Sequence, residues 1–179
     1  MKTIEFIKSD LARYSCVTLK SFFVNYFYNR SFKYNVWFRL SQSSSATISL
    51  IAKVRLKFLI WKTGIDIPPG AEIGYGFYIG HGQSIIVSPL TIIGNNCNIS
   101  QFVSIGSNDG TGAIIGDDVY IGPNVCIVEN VKIGNRVTIG AGAVVTRDIP
   151  DDATVAGVPA KILNFNRPAR YIGNKYVPK

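Results

Sequence analysis

The chain is poor in the residues that metal sites and cross-links draw on. Its 179 residues include one histidine, one methionine and three cysteines. Cys16, Cys97 and Cys126 are odd in number and widely spaced, with no Cys-x-x-Cys and no Cys/His pair. That argues against a disulfide framework or a zinc site and suits a reducing compartment. No metal is expected. Long apolar runs are also missing. The opening ten residues lack the apolar core of a signal peptide. The longest apolar stretch, Ala46 to Trp61, is broken by Lys53, Arg55 and Lys57 and is too short and too charged to span a bilayer. The expected location is the cytoplasm.

Acidic residues are scarce in one part of the chain only. Residues 1–62 hold 11 Lys/Arg against Glu5 and Asp10, whereas residues 63–179 carry a net charge of −1. Thirteen of the 21 aromatic residues also fall in the first part. Two segments with different physics therefore meet near Thr63–Gly64. The basic, aromatic segment 1–62 reads as a helical cap with solvated charges or as a contact for an anionic membrane surface, which would place the protein peripherally on the inner membrane face. Nucleic acid is not an expected partner, because no recognisable motif accompanies the charge.

What the chain has in abundance is a repeat. Aliphatic residues recur every six positions at Ile67, Ile73, Ile79 and Ile85, then at Ile93, Ile99 and Ile105, then from Ile115 through Ile121, Ile127, Ile133 and Ile139 to Val145. The phase slips by two residues after Ile85 and by four after Ile105. Glycine often follows the aliphatic residue, as at Gly74, Gly80, Gly94 and Gly116. A period of six fits neither a helix nor one long strand. It fits a short strand and a turn, with three such units making a triangular coil and stacked coils burying one aliphatic column. Three segments result: a helical segment over 1–62, a solenoid over 63–163 and a tail over 164–179.

Two stretches are more specific. Thr154-Val-Ala-Gly-Val-Pro-Ala-Lys-Ile162 resembles the closing signature of hexapeptide-repeat acetyltransferases, and Ile79-Gly-His-Gly-Gln-Ser-Ile-Ile-Val87 resembles the region around the first catalytic histidine of serine acetyltransferases. The likeness is closer still to the acetyltransferases of colanic acid and capsule biosynthesis, and a Tyr/Trp-Phe-Arg pattern around Asn35–Ser41 is shared weakly with that branch. The resemblance implies an all-β fold, a left-handed parallel β-helix with a small N-terminal helical cap, assembled as a homotrimer with acetyl-CoA in the groove between adjacent solenoids.

It also implies a mechanism. A hydroxyl is a poor nucleophile at neutral pH, whereas an imidazole with an ordinary pKa of about 6.5 can accept its proton as the thioester is attacked. His81 is the expected general base, and Asp66, fifteen residues earlier, is the expected orienting carboxylate. The repeat phase puts Ser107, Pro123 and Ala141 at the positions whose backbone meets the pantetheine arm. Arg147 and Lys161 are candidates for the CoA phosphates, with solvated surface charge as the alternative. Two departures from serine acetyltransferases stand out. The loop Ser107–Gly112 lacks their second histidine, and Gly80 stands where they carry an aspartate. The expected acceptor is therefore a sugar hydroxyl in surface polysaccharide biosynthesis, with Asp109 as a candidate contact. The alternatives are serine O-acetylation in cysteine biosynthesis and a non-catalytic binding scaffold.

Overall fold

The computed structural model describes residues 1–108, 110–128 and 130–178. The chain opens with four helices, α1 (Thr3–Tyr14), α2 (Leu19–Tyr28), α3 (Arg30–Ser41) and α4 (Ala46–Thr63). The side chains of Thr18 and Asn29 cap α2 and α3, accepting the first free backbone N–H groups. Gly64, in the left-handed region with φ 68°, ends α4 and turns the chain into the first strand.

Short strands follow at the repeat spacing. The first five are β1 (Ile65–Asp66), β2 (Glu72–Ile73), β3 (Tyr78–Ile79), β4 (Ile85–Val87) and β5 (Ile92–Ile93). Next come β6 (Asn98–Ile99), β7 (Ser104–Ile105), β8 (Ile114–Ile115), β9 (Tyr120–Ile121) and β10 (Cys126–Ile127). The series closes with β11 (Lys132–Ile133), β12 (Thr138–Ile139), β13 (Val144–Val145), β14 (Thr154–Ala156) and β15 (Lys161–Asn164). Up to β14 every pairing is parallel and joins strands one coil apart, giving three faces in the orders β1-β4-β7-β10-β13, β2-β5-β8-β11 and β3-β6-β9-β12-β14. This is the three-sided parallel solenoid that the six-residue period predicts, and the left-handed β-helix that the family resemblance implies.

All thirteen repeat positions are buried. A second inward column stands two residues before them, including Phe77, Cys97, Val103, Val119, Val125 and Val137. Each coil side thus contributes two core residues on alternate positions of one short strand, as the pleat requires.

The first slip in the repeat lies elsewhere than its spacing suggests. Val87, not Ile85, stands level with Ile105, while Ile85 pairs with Ile65. The two extra residues therefore precede β4. Corner hydrogen bonds locate them. The N–H groups of Ser84, Phe102, Asn124 and Gly142 donate to the carbonyls of Thr63, Gln83, Gln101 and Pro123 respectively. One corner is thus a stack of Thr63–Gly64, Gln83–Ser84, Gln101–Phe102, Pro123–Asn124 and Ala141–Gly142, each with positive φ at its second residue. Against that stack, His81–Gly82 is the insertion.

The first coil has no coil beneath it, so its backbone N–H and C=O groups would be left open. The helices close them with side chains. Arg39 donates to the carbonyls of Ile73 and Gly74, and Asn35 to that of Phe77. The N–H groups of Gly76 and Phe77 donate to Ser9 and Asp10. The hydroxyls of Tyr34 and Tyr14 each serve both backbone groups of one residue, Ile67 and Ile79. Arg39 also forms a buried ion pair with Asp10, Nε to Oδ2 at 2.8 Å. Burial pushes the Asp10 carboxyl above its ordinary range, against the pull of Arg39.

The other end closes differently. β15 turns back antiparallel onto β14. The tail then runs back along the corner between the second and third faces, where Tyr171 and Gly173 accept from Asn98 and Arg13 and Tyr176 exchanges bonds with Asn96. The tail lies on its own solenoid.

Replacing Arg39 by Met is expected to leave Asp10 buried without its counter-ion and half-satisfied, and to cost about 3–5 kcal/mol. Arg55→Met, on an exposed face of α4, is expected to stay within about 0.5 kcal/mol of wild type. Urea unfolding of both variants checks this, and an unshifted midpoint for Arg39→Met would contradict the capping role.

Candidate active site

Two interruptions break the solenoid: the His81–Gly82 insertion and the longer turn between β7 and β8. The first is held in place by the helices. Gly82 is buried and donates its N–H to Ser31 Oγ at the start of α3, at 3.0 Å. A Cβ at this position would overlap that hydroxyl, which is why glycine is needed here. Two residues before the insertion, Ile79 is bonded through both backbone groups to the Tyr14 hydroxyl. Burial pushes the Tyr14 phenol well above its ordinary pKa, so it stays neutral and can both donate and accept. His81, with φ 55°, projects from this pinned turn, exposed to solvent and free of hydrogen bonds to the described residues.

Asp66 lies outward on β1, beside Ile86 of the strand that leaves the His81 turn. No hydrogen bond or ion pair joins its carboxylate to His81. It lines a mostly apolar cleft of about 380 Å³ together with Tyr34, Lys53, Lys57 and Pro68. The structure thus sets both groups on the first coil without bringing them into contact.

The remaining candidates separate onto two edges. Pro123 and Ala141 share the His81 corner, on later coils. The Pro123 carbonyl already accepts from Gly142 at 2.8 Å, which leaves it one lone pair for a ligand. Lys161 stands exposed on β15, level with Ala156 and so near the end of the same corner. Ser107 and Arg147 occupy the next corner, between the first and second faces. Ser107 closes the base of its loop by donating to the Thr111 carbonyl at 2.6 Å, and Gly112 packs too tightly on the Leu90 carbonyl to carry a side chain. Asp109 lies outside the described residues.

Other reactive groups contribute little. Burial pushes the Cys97 thiol up to about 12, so it is inert at neutral pH, while Cys16 and Cys126 are exposed. Among the described residues no group of three or more His, Cys, Asp or Glu is placed to hold a metal ion. Sequence reasoning missed Ser31, Tyr14 and Gly82. Their only trace is a polar residue at helical spacing inside aromatic segments and a glycine outside the repeat phase.

A triangular parallel solenoid built on a six-residue repeat, with its lone imidazole on a corner insertion, is the architecture of a hexapeptide-repeat protein. Residues 112–147 match the family model described as bacterial transferase hexapeptide (six repeats). A serine acetyltransferase of Bacillus subtilis is 38% identical over 111 residues, which are 58% of this chain and 50% of that protein. The chain spans about half the length of the curated relatives it matches. The serine acetyltransferase of Neisseria gonorrhoeae, solved in complex with serine, superimposes with TM-score 0.71 at 31% identity, covering 89% of this chain and 68% of that one. A serine acetyltransferase solved in complex with CoA superimposes with TM-score 0.70 at 27% identity, covering 90% and 69%. The chain belongs to the hexapeptide-repeat acyltransferase family, and within it resembles the serine acetyltransferases.

These likenesses correct two expectations. The closeness to the capsule branch and the surface-polysaccharide acceptor both give way to relatives named for serine. A superposition over 89% of the chain is more than solenoid and tail together provide, so the cap aligns with serine acetyltransferases as well. The Asn35–Ser41 pattern that suggested the other branch is edge chemistry: Asn35 and Arg39 bond the first coil. The missing histidine and aspartate remove two particular contacts, and that says nothing of a sugar.

Gly82→Ala is expected to push the turn off Ser31, costing about 1–3 kcal/mol through overpacking and shifting the single set of imidazole NMR signals. Ser31→Ala should move those signals less. Unchanged spectra and unfolding midpoints in Gly82→Ala would mean that the corner is not pinned as described.

Proposed function

We propose that the chain is an acetyl-CoA-dependent serine O-acetyltransferase with His81 as its general base. The observation that carries this reading is the position of His81: the only imidazole in the chain occupies the only two-residue break in the corner stack, held by Ser31 and Tyr14. The relatives and the serine-bound and CoA-bound structures supply the acceptor and the donor. His81 takes the proton of the serine hydroxyl as its oxygen attacks the thioester carbonyl. The tetrahedral adduct collapses to O-acetylserine, and the departing CoA sulfur receives the proton from the imidazolium. Asp66, on the adjacent strand, orients and balances the imidazolium once substrate closes the site.

The placement of the other groups supports a homotrimer. His81, Pro123 and Ala141 stand on one edge, Ser107 and Arg147 on the next. A three-fold ring of solenoids sets one kind of edge against the other at every interface. The groove between two copies would then hold acetyl-CoA, its arm along the small corner residues and its phosphates near Arg147 or Lys161. Ser107 and its loop would bring the acceptor side of the neighbour toward His81.

The test follows loss of thioester absorbance, because exposed Cys16 and Cys126 would react with a thiol reagent. Saturable turnover is expected with L-serine. His81→Ala should lower it by about 10²–10⁴ while acetyl-CoA binding is retained, and Asp66→Asn should lower it less. Absence of any serine-dependent turnover would overturn the acceptor, and wild-type turnover by His81→Ala would overturn the mechanism. Light scattering should give the mass of three chains, and a monomer at micromolar concentration would remove the shared groove.

A further inference from the structure

The helix α4 has apolar residues on two opposite sides, and the fold uses only one of them. Ser49, Ala52, Leu56, Leu59 and Thr63 are buried, a narrow stripe that packs on the rest of the molecule. At about 100° per residue, Leu50, Ile51, Val54, Phe58 and Trp61 fall together on the opposite side. All five are exposed, from Val54 at 49% to Trp61 at 93%. The same projection sets Lys53 and Lys57 along one border of this outer stripe and Arg55 and Lys62 along the other. None of the four makes an ion pair with a described residue. No Asp or Glu occurs anywhere between Asp10 and Asp66. The helix α2, which packs on α3, also exposes Leu19, Phe23 and Phe27.

An apolar stripe bordered on both sides by cations matches the charge order of an anionic bilayer surface. Aromatic and aliphatic side chains enter the boundary between headgroups and acyl chains while cations meet the phosphates. Among the described residues no helix is long and apolar enough to cross a membrane, so the stripe would lie on the surface rather than span it. A second copy of the chain fits less well. A two-fold contact would set the same stripe against itself, bringing eight cations together with only the Asp66 of each copy, in the cleft with Lys53 and Lys57, to answer them. We propose that α4 docks this protein on anionic membrane surfaces, with Phe58 and Trp61 inserted and Arg55 and Lys62 among the headgroups. The inference does not depend on the acceptor of the acetyl group.

Co-sedimentation of the full chain with vesicles tests it, using pure phosphatidylcholine against phosphatidylcholine containing phosphatidylglycerol. The protein is expected to pellet with the anionic vesicles and not with the neutral ones, and to be released at 1 M salt, where screening is strong. Arg55→Gln/Lys62→Gln should weaken the partition about 30-fold, and Phe58→Ser/Trp61→Ser roughly tenfold or more. These positions are exposed, so the variants should keep the wild-type unfolding midpoint. Trp61 should shift its emission to the blue on binding, and Trp61→Phe should abolish that shift while still pelleting. Equal binding to both vesicle types, no binding, or unaltered binding by the variants would each overturn the proposal. So would concentration-dependent self-association that disappears in Phe58→Ser/Trp61→Ser without any vesicle binding, which would give the stripe to a second copy.

Discussion

The open edge of the first coil is the constraint on which the rest of this molecule depends. A parallel solenoid satisfies its backbone by stacking, so each coil donates to the next and the first is left with groups that nothing in the repeat can pair. A buried backbone group without a partner costs about 1–3 kcal/mol, and the first coil presents a row of them. Here the row is answered by side chains: Arg39 and Asn35 to carbonyls, Ser9 and Asp10 to N–H groups, Tyr14 and Tyr34 to both. This explains the composition of the helical segment. It must be apolar enough to cover a column of isoleucines, and it must carry a polar group wherever the edge offers a free donor or acceptor. Aromatic residues with a hydroxyl, and an arginine neutralised by a buried aspartate, meet both demands.

The later coils face the same accounting and solve it by repetition. Along the corner between the second and third faces, Asn95, Asp117, Asn135 and Asp151 each accept a backbone N–H from the turn one coil before, so side chains form a ladder beside the main-chain one. The tail returns along this corner. Arg13 joins the two systems, since its guanidinium reaches Gly76 in the first coil, Asn98 in the second and Gly173 in the tail. The returning tail is therefore tied to the first two coils through one buried cation on α1.

How much of this was legible in the sequence follows from the range of each interaction. The core column was readable because it is set by local alternation: every six-residue position proved buried, from Ile67 to Val145. The location of the first slip was not, because Ile85 and Val87 are both inward and both aliphatic. Only pairing with Ile65 and Ile105, residues a coil away, decides between them. The helical cap was readable as helical and basic, but its inward polar residues were opaque. Asn35 and Arg39 have meaning only beside Phe77 and Ile73, 42 and 34 residues further on. Read without those partners, the same residues pointed toward another branch of the family. Asp66 shows a similar limit. A spacing of fifteen sets it on the strand next to the His81 turn but does not carry the distance between the side chains.

The helical segment also resolves a tension in how a solenoid can host chemistry. Regular stacking leaves every corner equivalent, and a corner equivalent to its neighbours has no reason to present one side chain differently. Inserting His81–Gly82 breaks that equivalence, yet an unsupported insertion would be the loosest part of the coil. Ser31 removes the slack by taking the Gly82 N–H, and Tyr14 holds the strand that leads in. The insertion also lies on the first coil, the one whose open edge the helices close, so the imidazole is placed where non-repeating structure can position it. The residues that close the edge and those that fix the candidate base are thus one set, contributed by α1 and α3. That leaves the outward side of α4 free of any structural duty, and its five apolar residues are then a feature that the fold does not require.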